Sequence, residues 1–120
     1  MPTSFERAAG AVVFRVAKKG REYLLLLHHD AHNARVGRKN REYWNFPKGG
    51  MEKGETDEST MRRELSEETG ITRIRIVPKF RSTQRYMIER NGAPRQKRVI
   101  FFLAETRQKK IKLSPEHQRY

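Results

Sequence analysis

The sequence predicts an α/β domain built on a mixed β-sheet with one recognisable helix. Apolar and β-branched runs of strand length recur along the chain, and Asn91-Gly92 between two of them is a strong signal for a tight hairpin. The stretch Gly49 to Ile71, GGMEKGETDESTMRRELSEETGI, carries the glycines, caps and spacing of a loop followed by a helix.

Taken in order, Ala8 to Ala17 (AAGAVVFRVA) and Glu22 to His29 (EYLLLLHH) predict an antiparallel hairpin across Lys18-Lys19-Gly20. The leucine run Leu24 to Leu27 predicts a strand buried on both faces. His28 and His29 close it and read as rim histidines, because no second ligand lies at metal-binding spacing. Asp30 to Glu42 lacks periodicity and predicts a long basic loop, either a lid that orders on an anion or an insertion without that role. Tyr43 to Pro47 predicts a short strand whose Trp44 and Phe46 pack inward.

In the next stretch Gly49, Gly50 and Gly54 permit a tight loop close to a ligand, Thr56 is the N-cap, and Gly70 stops the helix. Met61 and Leu65, one turn apart, are its core contacts. Ile71 to Val77 alternates apolar and basic residues, predicting a half-exposed strand that Pro78 ends. Lys79 to Arg90 and Gln96 to Thr106 flank the hairpin turn, and Val99 to Leu103, the most apolar strand, is expected at the centre of the sheet. Ser114-Pro115-Glu116 reads as the N-cap, first residue and first-turn acid of a short helix. A sheet with one helix leaves a face uncovered. The expectation is therefore a single domain over residues 1–120, truncated at its C-terminus, with a further strand and helix belonging beyond Tyr120.

With 27 Lys and Arg against 14 Asp and Glu, the net charge of +13 favours an anionic partner, whether a polyphosphate, RNA or an anionic membrane surface. The absence of cysteine excludes disulfides and thiolate metal sites and suits a cytoplasmic setting. No apolar run is long enough to span a membrane, and no obligate protein partner is predicted. Against this basic background Glu64, Glu67 and Glu68 stand at i, i+3 and i+4, crowding three carboxylates on one helix face. Such a cluster is either a solvated acidic face or a ligand set for a hard divalent cation.

Gly49, Glu55, Arg63, Glu64, Leu65, Glu67, Glu68, Gly70 and Ile71 fall on the pattern GX5EX7REUXEEXGU, with U aliphatic. On these residues the chain resembles the Nudix hydrolases. Outside that box, Trp44-Asn45-Phe46-Pro47-Lys48-Gly49, Lys97 to Ala104 (KRVIFFLA) and Leu113 to Tyr120 (LSPEHQRY) are similar to segments of the asymmetric diadenosine tetraphosphate hydrolases. Tyr43 departs from that subgroup, many members of which have histidine there. The resemblance implies an α/β/α sandwich around a mixed sheet, here lacking its C-terminal strand and helix. It also implies hydrolysis of a phosphoanhydride with Mg²⁺ or Mn²⁺.

Residue by residue, the resemblance implies that Glu64, Glu67, Glu68 and the Gly49 carbonyl hold the metals, with Glu116 as a fourth carboxylate. Glu64 would be the general base, and Arg63 would tie Glu55 to a metal-binding glutamate. Lys48 and Lys97 would contact the polyphosphate, and Tyr86 and Tyr120 would lie near the phosphates and purine. The implied substrate is a small polyphosphate nucleotide, diadenosine tetraphosphate cut to ATP and AMP. Triphosphorylated RNA, nucleoside triphosphates and nucleotide sugars are alternative substrates, and a catalytically idle RNA- or protein-binding module is the non-enzyme alternative.

Overall fold

The computed structural model describes residues 5–29, 42–113 and 120. Among them the elements run β1 (Phe5–Ala17), β2 (Gly20–Tyr23), β3 (Leu26–His29), β4 (Glu42–Asn45), β5 (Lys48–Gly50), α1 (Asp57–Thr69), β6 (Arg75–Arg90) and β7 (Ala93–Glu105). The main sheet has the order β2-β1-β7-β6, with β5 also paired to β1, while β3 and β4 form a two-stranded sheet. β1 and β7 are parallel and every other pairing is antiparallel, so the expected mixed sheet is present. The expected central strand is central too: β7 lies between β1 and β6.

Period-two alternation lets the sheet bury both faces. Ala9, Ala11 and Val13 of β1 and Ile100 and Phe102 of β7 pack against Met61 and Leu65 of α1. The opposite face gathers Ala8, Val99 and Phe101, with Val12 and Phe46 against them. Met61, Leu65 and Phe102 are buried almost completely, and each buried side chain of this size contributes about 1.5–3 kcal/mol. The helix is capped as the sequence predicts. Thr56 Oγ1 accepts from the Ser59 amide, Ser59 Oγ accepts from the Thr56 amide, and Gly70 ends the helix in the left-handed region at φ 75°.

The hairpin between β6 and β7 turns at Asn91 and Gly92, both at positive φ, as a two-residue turn of this kind requires.

Four expectations are corrected. Glu22 to His29 is two strands, since the chain leaves β1 after Tyr23 and re-forms β3 against β4; Leu26 and Leu27 are buried, but Leu25 is exposed. Pro78 does not end a strand. It sits inside the 16-residue β6 where the register shifts between Ile76 and Arg81 and Lys79 takes φ 64°, and at such an irregularity a missing N–H goes unused. Trp44 is exposed: β4 ends at Asn45, whose Oδ1 accepts the Phe46 amide at 2.8 Å, and this turn brings Phe46 but not Trp44 onto Phe101. Gly49 and Gly50 lie in β5 rather than in a loop, paired with Ala9 and Ala8. The loop Asp30 to Glu42, apart from the β4 backbone at its end, and the helix start at Ser114 to Glu116 lie outside the described residues.

Gly10 marks where β5 closes on the second face. A Cβ there would overlap the Pro47 carbonyl oxygen and lie 2.6 Å from Lys48 Cβ and 2.9 Å from Phe101 Cε1. Gly10→Ala is expected to destabilise the fold by about 1–3 kcal/mol, as overpacking does. Urea unfolding at matched pH measures it, and an unchanged midpoint would show that β5 does not sit this close.

Candidate active site

The site begins with how α1 meets β5. A Cβ on Gly49 would collide with the Glu64 carboxyl group, so only glycine lets this backbone lie against that side chain. One turn on, Glu68 Oε2 accepts the Lys48 amide at 3.2 Å, and Glu68 is buried. Two carboxylates of the helix are thus pressed onto two consecutive residues of one short strand.

Arg63 organises the rest. Its Nε and Nη2 donate to Glu55 Oε2 and Oε1 at 2.7 and 3.0 Å, a bidentate fork. Nη2 also donates to the Gly50 carbonyl at 2.8 Å. Nη1 donates to Glu64 Oε1 at 2.8 Å and lies 3.3 Å from Glu67 Oε2. Glu55 Oε1 further accepts the Glu52 amide at 2.8 Å and the Thr60 hydroxyl at 3.0 Å. The side chains of Arg63, Glu55 and Glu64 expose only 22, 17 and 16% of their area, which lifts these pairs above the small value of surface ion pairs.

The charges respond accordingly. Hydrogen bonds from Arg63 and then from the Glu52 amide lower the Glu55 carboxyl to about 2. Burial raises Glu64 above the usual carboxylate range, and the Arg63 contact only partly opposes it. All the donors are hard oxygens, the chemistry that magnesium and manganese take. Among the described residues, however, no three carboxylate or imidazole side chains converge closely enough to hold a cation, with Arg63 against Glu64 and Glu67 and the Lys48 amide against Glu68. Glu116 lies outside the described residues.

A second group lies on the sheet face away from α1. Lys97 is directly opposite Tyr86 on β6 and Glu6 on β1. Glu6 is paired to Arg90 at 2.8 Å. Burial, then the nearby Lys97 charge, holds the Lys48 ammonium below its ordinary value, against the pull of Glu68 and Glu64. Burial likewise lowers Lys97, with Glu6 opposing, and raises Tyr86, with Tyr43 the next cause. Tyr43 stacks on His28 at 5.3 Å between ring centroids.

Lys48 therefore belongs to both groups: its amide donates to Glu68, while its side chain, opposite Gly10, shares the sheet face of Glu6 and Lys97.

Of the residues singled out from sequence, Lys48, Gly49, Glu55, Arg63, Glu64, Glu67 and Glu68 come together, and Lys97 and Tyr86 adjoin them through Lys48. Tyr120 does not: it lines a cavity with Phe14, Tyr23 and Ile71 at the other end of β1, roughly 25 Å along the strands from Lys97. Sequence reasoning missed Thr60, Glu6 and Arg90. Thr60 reads as an ordinary helix residue, and the Glu6–Arg90 pair spans 84 positions and exists only through strand register.

Residues 5–120 match the family model described as NUDIX domain. The chain is 35% identical over 124 residues to the asymmetrical bis(5′-nucleosyl)-tetraphosphatase of Mus musculus, covering 95% of this chain and 76% of the relative. A crystal structure of a C. elegans Ap4A hydrolase binary complex superposes with a TM-score of 0.75 at 31% identity, covering 95% of this chain and 76% of that one. An RNA pyrophosphohydrolase of Photobacterium profundum is 47% identical, but over 47 residues, 38% of this chain and 27% of the relative.

Because the folded Glu55 carboxyl titrates near 2 rather than 4.5, its contribution to stability is complete above about pH 4.5 and is lost as pH falls through 2. Glu55→Gln is expected to unfold at lower urea than wild type at pH 7, with the gap narrowing between pH 4.5 and 2. A gap that stays constant with pH would contradict the Glu55–Arg63 pairing.

Proposed function

This chain belongs to the Nudix family, whose model matches residues 5–120, and we propose that it hydrolyses a dinucleoside polyphosphate, cutting diadenosine tetraphosphate to ATP and AMP. The observation that carries the reading is the double attachment of Lys48. Its amide donates to Glu68 among the helix carboxylates, while its side chain, opposite Gly10, shares the sheet face of Lys97 and feels the charges of Lys97, Glu68 and Glu64, which supports a polyphosphate held by the two lysines and cut beside the helix. The likeness to asymmetric tetraphosphatases over 95% of the chain supports the same reading.

In the proposed reaction Lys48 and Lys97 bind the phosphate chain and Tyr86 lies beside the nucleoside, where one face of its ring can stack. Glu64 takes the proton of the attacking water. The water oxygen bonds to phosphorus, the bridging P–O bond breaks, and the two nucleotides leave as ATP and AMP. Arg63 acts as a positioning residue: its fork on Glu55 fixes the nitrogen that aims Glu64.

Nudix enzymes generally use divalent metal. Magnesium or manganese bound by Glu64, Glu67, Glu68, the Gly49 carbonyl and Glu116 would neutralise phosphate charge and acidify water. The cysteine-free composition suits the cytoplasm as the place of reaction, and no described helix is long and apolar enough to cross a membrane.

A second reading keeps the chemistry and changes the substrate to triphosphorylated RNA, favoured by the net charge of +13 and the partial likeness to an RNA pyrophosphohydrolase. Incubation of the protein with diadenosine tetraphosphate and Mg²⁺ is expected to release ATP and AMP in equal amounts, with chelator stopping it and added Mg²⁺ restoring it. Release of pyrophosphate from 5′-triphosphorylated RNA, with the dinucleotide left intact, would replace the first reading by the second. Glu67→Gln is expected to lower turnover by at least about 10²-fold with an unchanged melting midpoint, and full activity in that variant would remove Glu67 from the metal role.

A further inference from the structure

Strand register places three arginines in one line across the sheet: Arg7 on β1 is opposite Arg98 on β7, which is opposite Arg85 on β6. Directly opposed residues share a face. That face is the one α1 packs on, because Arg98 reaches Asp57 at 3.1 Å and the next positions along, Ala9 and Ile100, belong to the helix-side core. It is the reverse of the face that carries Lys97 and Tyr86. The first residue of the helix reaches only Arg98 in this row; Arg7 and Arg85 are exposed, and among the described residues neither has a carboxylate within ion-pair distance.

Like charges opposite one another destabilise a sheet; Asp57 offsets Arg98, but among the described residues no carboxylate offsets Arg7 or Arg85. The row beside it is apolar at both ends, with Phe5 38% and Met87 65% exposed across Gln96. Arg7 lies over the Phe5 ring at 4.8 Å, and Arg81, further along β6 on the same face, over the Phe102 ring at 5.0 Å.

We propose that this face binds the backbone of single-stranded RNA, with Arg7 and Arg85 on phosphates to either side of Arg98, which stays paired to Asp57, and with Phe5 as a stacking platform for a base. Two strand spacings make the row about 10 Å long, enough for more than one phosphate of a single strand. Guanidinium groups suit phosphate by their planar fork, and an aromatic ring among cations is the arrangement that holds unpaired bases without reading their sequence. An acidic peptide would use the charges but not the exposed ring, and a membrane would need a wider apolar surface than Phe5 and Met87 offer. The surface is independent of the hydrolytic reading, since none of its residues touches the carboxylate network or the paired lysines.

The test uses the whole protein and a fluorescent oligouridylate with a 5′-hydroxyl end, which has no phosphoanhydride for the hydrolytic site. Wild type is expected to bind it with an affinity that falls as salt rises. In Arg7→Gln/Arg85→Gln binding is expected to weaken at least about tenfold at low salt, and the slope of log K against log salt to shrink by about 1.4, two contacts' worth for a single strand. Hydrolysis of diadenosine tetraphosphate should be the same in both proteins, and the melting midpoint of the variant no lower. Equal oligouridylate binding by the two proteins overturns the proposal. So does an absence of wild-type binding, or a variant that loses affinity for phosphatidylserine vesicles while keeping it for RNA.

Discussion

Everything at the candidate site hangs from the fork that Arg63 makes on Glu55. The guanidinium is planar and always charged, so once two of its nitrogens are committed to one carboxylate, the direction of the third is fixed. That third nitrogen meets Glu64 at 2.8 Å, and the nitrogen on the far side of the fork also reaches the Gly50 carbonyl. One side chain therefore ties the loop before α1, the strand before that loop and the acidic face of the helix into a single unit. Capping by Thr56 and burial of Met61 and Leu65 hold the helix in register beneath it. Without the fork, three glutamates on one turn would repel one another in a partly dry setting.

The sheet divides the charged groups between its two faces. β5 brings the acidic helix face to an edge of the sheet through Gly49, where no side chain intervenes. The far face holds Lys48, Lys97 and Tyr86, with Glu6 and Arg90 pairing beside them. The helix-side face carries the arginine row. Parity along β1 and β7 alone decides which residues join which group: Lys97 and Arg98 are neighbours in sequence and lie on opposite faces.

The helix was legible because its signals are local. An N-cap, a left-handed glycine and apolar residues one turn apart are written within a few positions of one another, and the carboxylates follow from the same period. The hairpin at Asn91-Gly92 was legible for the same reason. What sequence could not supply was tertiary. Pro78 reads as a strand end because the proline lacks an N–H, yet it lies at an irregularity of β6 where that N–H has no partner to lose. The leucine run reads as one strand although the pairing partner changes from β1 to β4 within it. Tyr120 reads with Tyr86 by resemblance but sits at the opposite end of β1, and the Glu6–Arg90 pair depends on a parallel pairing no local pattern announces.

On the proposed reading the Arg63 fork holds the helix carboxylates and the β5 backbone where a divalent cation would bind them together. An anomalous difference map from crystals soaked in manganese tests it most directly. A peak bounded by Glu64, Glu67, Glu68 and the Gly49 carbonyl is expected, with Arg63 still bidentate on Glu55. A map without density among those groups, or one in which Arg63 has left Glu55 while the ion is bound, would contradict it.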